Sequence, residues 1–213
     1  MTMRITVAIS GRGSNLEALL RALQPGAPAE VVLVVSDRAE AAGLAHATSR
    51  DIPAMVLGDP TDAAAWLGLL RDYQIDLVVL AGYLRLVPAR VVAEYRGRII
   101  NTHPSLLPAF GGKGMYGERV HQAVLKSGAR ETGVTIHLVD EAYDRGAVLA
   151  QSRVPVLHDD TAERLAARVL EVEHRLLPAA VLAAAAAGRP VPVGESGVGS
   201  QESGAESQRL RSS

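Results

Sequence analysis

Apolar residues fall along this chain in two rhythms. Residues 4–10 form a short β-branched run in which Ile5, Val7 and Ile9 alternate with smaller side chains. Residues 30–36 (EVVLVVS) and 76–81 (DLVVLA) are almost continuously apolar, as strands are when both faces of a parallel sheet are covered. Between these runs, residues 15–23, 39–49 and 62–73 carry helical spacing. Strand alternating with helix at this interval predicts a βαβ series. Residues 98–101 read as a further short strand, and residues 132–139 and 147–156 as a later strand pair. Asp160 and Thr161 can cap a long last helix over residues 162–187, which Pro178 should kink or divide. The expected fold is a single α/β domain over residues 1–193. Its sheet should be open, mostly parallel and Rossmann-like, with helices on both faces. Residues 194–213 are Gly, Ser, Gln and Glu with few apolar groups, and are expected to be a disordered tail.

Composition narrows the function classes. The chain has 213 residues, 48% hydrophobic and 21% charged, with a net charge of −1. That balance leaves no electrostatic footprint for nucleic acid or a membrane surface. There is no cysteine, which removes disulfides, thiolate metal sites and a thiol nucleophile together and fits a reducing cytoplasm. The opening MTMRITVAIS enters a strand directly, without a secretory pattern, and no apolar stretch reaches membrane-spanning length.

The first predicted strand ends in SGRGSNLEALL. Gly11 and Gly13 permit a tight turn, and Ser14 and Asn15 can open the helix that follows. Free N–H groups and the helix dipole make that turn a phosphate site. The loop also approaches the dinucleotide fingerprint G-x-G-x-x-G, and Asp37 stands where a ribose-binding acid would follow the second strand. A nicotinamide-dependent enzyme is therefore the runner-up from this half alone. Leu16 in the third glycine position argues against it, and Ser14-Asn15 suits a lone phosphomonoester better.

The stretch INTHPSLLPAF, residues 100–110, places an amide and an imidazole two residues apart. On an extended segment Asn101 and His103 point the same way, and Pro104 biases His103 toward extended backbone. Two N–H donors aimed at one spot at a strand's carboxyl end can stabilise an oxyanion, and the imidazole can move a proton. Past a later strand, VDEAYDRG offers Asp140, Glu141 and Asp144. A carboxylate beside His103 would raise its pKa and hold it protonated near neutral pH.

Taken in order, SGRGSN, NTHPSLLP, HLVDEAYDRG and EVEH resemble the folate-dependent formyltransferases, over residues 3–189. The Gly-x-Gly-Ser-Asn loop narrows the resemblance to the phosphoribosylglycinamide (GAR) formyltransferases. It implies transfer of a formyl group from 10-formyltetrahydrofolate to the amine of glycinamide ribonucleotide, in purine synthesis, without a metal. Carried over residue by residue, Asn101, His103 and Asp144 would be catalytic. Gly13, Ser14, Asn15 and Glu173 would bind the nucleotide. Leu84, Arg85, Leu86 and Val87, together with Asn101, Asp140, Glu141, Ala142, Tyr143 and Asp144, would surround the folate. A water beside Thr135 would carry the proton to the leaving nitrogen. Nucleic acid and membrane are not expected as partners, and a homodimer is left open.

Two positions depart from the family pattern. Arg145 stands where a first glycine often follows the catalytic aspartate, and a folate-contacting arginine is missing from residues 58–65. Lys113, in the glycine-rich segment 111–117, is given no role. His46, His121, His137, His158 and His174 are read as structural or surface residues. The alternatives are another folate-dependent formyltransferase, a formyltetrahydrofolate deformylase, or a non-catalytic nucleotide- or folate-binding module.

Overall fold

The computed structural model describes residues 2–194. The expected tail therefore lies outside the described residues except for Gly194. Seven strands form one sheet: β1 (Met3–Ile9), β2 (Ala29–Ser36), β3 (Ala54–Val56), β4 (Leu77–Leu80), β5 (Ile99–His103), β6 (Glu131–Leu138) and β7 (Val148–Pro155). Their order is β3-β2-β1-β4-β5-β6-β7. The first five strands in that order run parallel, while β6 is antiparallel to β5 and β7 to β6. The chain leaves β1 toward one edge through β2 and β3, then returns to the other side of β1 with β4. Such a reversal opens a crevice at the strands' carboxyl ends, where ligands of open α/β sheets bind.

Helices cover both faces of the sheet. One core joins β1, β6 and β7 residues to α1 (Ser14–Ala22), α5 (Glu118–Ser127) and α6 (Ala162–Ala187), with Leu16, Leu19, Val124, Leu165, Val169 and Leu177 fully buried. The other packs α3 (Ala63–Asp72) and α4 (Ala89–Glu94) on Leu33, Val35 and Val78 through Trp66, Leu67, Leu70 and Val91. Burial on both faces is why the central strands read as unbroken apolar runs.

Three elements differ from the sequence expectation. The helix expected over residues 39–49 shrinks to α2 (Leu44–Thr48). Gly43 leaves helical hydrogen bonding to donate its N–H to Gly11 O at 3.0 Å, and a Cβ on it would lie 2.8 Å from Gly13 Cα. The two loops thus touch backbone to backbone, and Gly13 needs glycine twice over because its φ is +75°. Next, α6 runs unbroken through the buried Pro178 instead of dividing there. Its N-cap is Thr161, which accepts from Arg164 N. The adjacent Asp160 instead takes a two-pronged bond from Arg168, at 2.6 and 2.9 Å. Finally, β5 continues to His103, so the proline at 104 ends an extended segment that includes the histidine.

Candidate active site

A cavity of about 440 Å³ opens at the reversal point, walled by the loops after β1, β4, β5 and β6. Asn101 and His103 stand on its floor from β5, a strand flanked on both sides by others, which fixes their backbone. The β6–β7 hairpin brings in Asp144, whose backbone φ of +56° is left-handed. A non-glycine residue is strained in that region, and such strain persists where the surroundings fix the conformation. Here Asp144 Oδ2 accepts from Gly112 N at 2.9 Å, and Oδ1 sits 3.5 Å from His103 Nδ1 and 3.5 Å from Asn101 Nδ2. Of the three acids in VDEAYDRG, it is Asp144 that meets the imidazole. Asp140 instead accepts from Ala142 N to close a turn, and Glu141 is exposed.

The charge state of His103 departs from expectation. Its pKa is lowered, chiefly because the ring is buried, at 4% exposure, and desolvation outweighs the upward push of Asp144 and of the Phe110 carbonyl. Nε2 lies 2.9 Å from Phe110 O, a contact that requires Nε2–H. In the neutral ring Nδ1 is then a bare lone pair facing a carboxylate, an arrangement relieved by taking up a proton. Asp144 is the converse case. Burial pushes its carboxyl up, but the two neighbouring imidazoles and the Gly112 N–H more than offset this and hold it below its usual value.

The far end of the cavity is set by α1 and α6. Glu173 is 7% exposed and accepts from Thr102 Oγ1 at 3.0 Å and from Asn15 Nδ2 at 3.3 Å. Burial raises its pKa in spite of those two bonds. The folded state therefore holds the proton more tightly than the unfolded chain. Stability must fall as pH rises from the unfolded carboxyl pKa, about 4.3, through the folded value. Glu173→Gln removes that cost, and Asn15 Oδ1, buried without a partner, can accept from the new amide once the Asn15 side chain turns over. We expect Tm to rise by about 2–4 °C near neutral pH, the effect of roughly 1 kcal/mol in a domain of this size. The gain should vanish near pH 4. A melting curve at each pH checks this, and an equal Tm change at all pH values would contradict it.

The loop after β4 crosses the cavity wall with Leu84, Arg85, Leu86 and Val87. It is tied to the residue after β1 by Leu84 N donating to Ser10 Oγ at 2.9 Å and to the residue after β2 by Arg85 Nε donating to Asp37 Oδ2 at 3.2 Å. The second tie closes the dinucleotide reading, because the Asp37 side chain is fully buried and cannot grip a ribose. Leu16, fully buried against the sheet, fills the space a third glycine would leave.

Ala142 and Tyr143 line the cavity, whereas Gly13, Ser14, Asp140 and Glu141 do not reach its wall. Gly13 and Ser14 instead form the start of α1, next to Asn15, which does. Lys113, Tyr116 and Arg119, none of them an expected site residue, also line it. Thr135 offers no free hydroxyl to a shuttling water: it donates to Ser105 O at 2.7 Å and accepts from Leu107 N and Gln151 Nε2. The departure at Arg145 is harmless, because Arg145 is exposed and the indispensable glycine is the next one. A Cβ on Gly146 would lie 1.7 Å from Leu138 O.

His137 was expected to be structural or on the surface, yet it sits in the site. It is 2% exposed, with Nε2 3.0 Å from Asn101 Nδ2 and 3.6 Å from Asp144 Oδ1. The signal lay in the alternation of Thr135 and His137, polar residues on one face of a strand, matching Asn101 and His103. Seeing it required the register that pairs Asn101 with His137 and His103 with Thr135. His46, His121, His158 and His174 stay off the cavity wall.

This is also the region matched by the formyl transferase family model, which spans residues 3–181. The chain belongs to the formyl transferase family. Among its relatives, a chloroplastic phosphoribosylglycinamide formyltransferase of Vigna unguiculata is 46% identical over 180 residues, covering 81% of this chain and 58% of that protein. The Arabidopsis thaliana counterpart is likewise 46% identical, with 62% of its length covered. The chain thus spans about three fifths of these plant relatives. The Haemophilus influenzae phosphoribosylglycinamide formyltransferase is 35% identical and 84% covered. Among solved structures, the phosphoribosylglycinamide formyltransferase of Brucella melitensis is 49% identical with a TM-score of 0.79, over 87% of this chain and 97% of that one. That of Anaplasma phagocytophilum has a TM-score of 0.82 at 40% identity, over 88% of each chain. The described residues of this family member include no cluster of three or more His, Asp or Glu arranged for a metal and no helix able to cross a membrane.

Proposed function

We propose that this chain is a phosphoribosylglycinamide formyltransferase, moving the formyl group of 10-formyltetrahydrofolate to the amine of glycinamide ribonucleotide. The observation that carries the reading is the convergence of Asn101, His103 and Asp144 within 3.5 Å on the floor of one cavity, with Asn15 and Glu173 at its other end. The α1 amino end, at Gly13, Ser14 and Asn15, takes the substrate phosphate. Glu173, an acceptor, faces the nucleotide's hydroxyl or amine donors. The pterin lies along Leu84, Arg85, Leu86 and Val87 and against the 140–144 turn. Lys113 and Arg119 stand on the cavity wall to meet the carboxylates of the folate tail, in place of the arginine missing from residues 58–65. The cysteine-free composition fits action in the cytoplasm.

In the reaction the substrate nitrogen bonds to the formyl carbon, and the carbonyl electrons move onto oxygen. Asn101 N–H and the His103 imidazolium stabilise that alkoxide. The charge developing on oxygen adds to the Asp144 carboxylate and favours the protonated ring, against the desolvation that lowers its pKa in the free protein. Collapse of the tetrahedral species breaks the bond to the folate nitrogen, which leaves with the proton given up by the attacking amine.

A coupled assay tests the reading. Glycinamide ribonucleotide should be formylated, whereas methionyl-tRNA should not. Formylation of the tRNA alone, or release of free formate without acceptor, would overturn it in favour of another member of the family. Ser14→Leu adds a side chain where the phosphate must approach. It should raise the apparent KM for the nucleotide by about tenfold or more, the effect of losing one to two charge-assisted hydrogen bonds. The KM for the folate should stay within about twofold. Equal effects on both substrates would remove the phosphate from this loop.

A further inference from the structure

His137 is a buried imidazole on the cavity wall that the mechanism above does not use. Its two nitrogens have distinct partners. Nδ1 lies 2.8 Å from Leu138 O, a contact only an N–H can make. In the neutral ring Nε2 then carries a lone pair, and the group 3.0 Å away from it is Asn101 Nδ2. Asp144 Oδ1 is farther, at 3.6 Å, and Nε2 can donate to it only in the cationic ring, so in the neutral ring the bond of Nε2 is the one to Asn101. Asn101 Nδ2 has two hydrogens. His137 takes one, and the other faces Asp144 Oδ1 at 3.5 Å, the limit of a hydrogen bond.

We infer that His137 is a positioning residue for formyl transfer: its bare Nε2 holds the Asn101 amide so that the loosely held second hydrogen meets the reacting carbonyl. The inference rests on the function proposed above. An amide has two nearly isosteric orientations. Turned over, Asn101 would aim its oxygen at the developing oxyanion, replacing attraction by repulsion. Two groups select the productive orientation. Asp144 does so weakly, through the long contact, and His137 does so through the short one. The selection works only while Leu138 O keeps the proton on Nδ1, because a proton on Nε2 would ask Asn101 for its oxygen. The pairing of Asn101 with His137 between adjacent central strands holds the two side chains in register.

The test separates tautomer from turnover. A long-range ¹H–¹⁵N spectrum of the free protein near neutral pH should show His137 with Nδ1 protonated and Nε2 bare; the opposite tautomer overturns the inference whatever the enzyme turns over. Kinetically, His137→Leu should lower kcat by about 10- to 100-fold, less than complete loss of an oxyanion donor. The KM of each substrate should stay within about threefold. His137→Gln, whose Oε1 can stand where Nε2 stood, should recover most of the loss. Equal losses in Leu and Gln variants, or a loss confined to KM, would show that the ring serves packing alone. Should the wild-type protein formylate no glycinamide ribonucleotide, the function proposal fails, while the spectrum still decides the tautomer.

Discussion

Asp144→Asn is expected to lower kcat by about 10² or more, the usual contribution of a positioned acid–base group, with modest change in either KM. The effect is transmitted through His103. Its Nε2 hydrogen is committed to the Phe110 carbonyl, so the proton that makes the ring cationic goes on Nδ1, facing Asp144 Oδ1 at 3.5 Å. The carboxylate is the main group raising the His103 pKa against burial. An asparagine amide there would instead donate to a bare Nδ1 and favour the neutral ring. The pKa of His103, already below its ordinary value, should therefore fall further. Turnover needs the substrate amine unprotonated and the ring protonated, which gives a bell-shaped pH profile. Its alkaline limb should move down by about one pH unit, equivalent to about 1.4 kcal/mol of lost interaction. The variant also loses a stability term. Asp144 has a lowered pKa in the folded state, so its ionised form stabilises the fold above the unfolded carboxyl pKa. That term is lost as pH falls through the folded value. His103 titration by NMR in both proteins is the direct check. Identical titration curves would remove Asp144 from its assigned part.

Gly146→Ala should be the most damaging single-methyl change in the molecule. The added carbon would lie 1.7 Å from Leu138 O and 2.6 Å from Leu138 C. Both are backbone atoms at the end of β6, where Leu138 N donates to Ala147 O at 2.9 Å, so no side chain can swing aside. The hairpin must open, at a cost of about 3 kcal/mol or more, a fall in Tm on the order of 10 °C. His137 and Leu138 lie on one side of that opening and Asp144 on the other, so activity should fall further than stability alone dictates. Arg145→Gly, one residue earlier, restores the commoner family pattern at an exposed position and should leave Tm and kcat almost unchanged. If Gly146→Ala melts like the parent, the close approach of the two backbones does not exist in solution.

The sequence made the sheet legible because its strands are buried on both faces and read as unbroken apolar runs. Strands β1, β2, β4 and β5 and the final hairpin stand within two residues of the expected bounds. Short elements escaped for physical reasons. β3 has three residues, partly or fully exposed on an edge, and α4 has six, too few for a period to emerge. α5 follows a glycine-rich segment and buries only Val120, His121 and Val124. The alignment of Asn101 with His103 followed from spacing plus a proline, and the choice of Asp144 among three acids from the family resemblance, but two properties of the group did not. The protonation balance of His103 depends on burial, which no local pattern reveals. The part of His137 depends on antiparallel register across a connection of 27 residues, from 104 to 130.

The contacts of residues 110–112 have a consequence beyond local order. Phe110 offers its carbonyl to the His103 imidazole, and Gly112 its N–H to the Asp144 carboxylate. The segment is thus fastened by the very groups proposed to do the chemistry. By reciprocal linkage, any ligand that claims His103 Nε2 or Asp144 Oδ2 loosens the segment, and any change that stiffens the segment makes those atoms harder to claim. Residues 113–117, though they contribute no group to bond making, therefore offer an evolving or engineered variant a way to retune turnover without altering Asn101, His103 or Asp144.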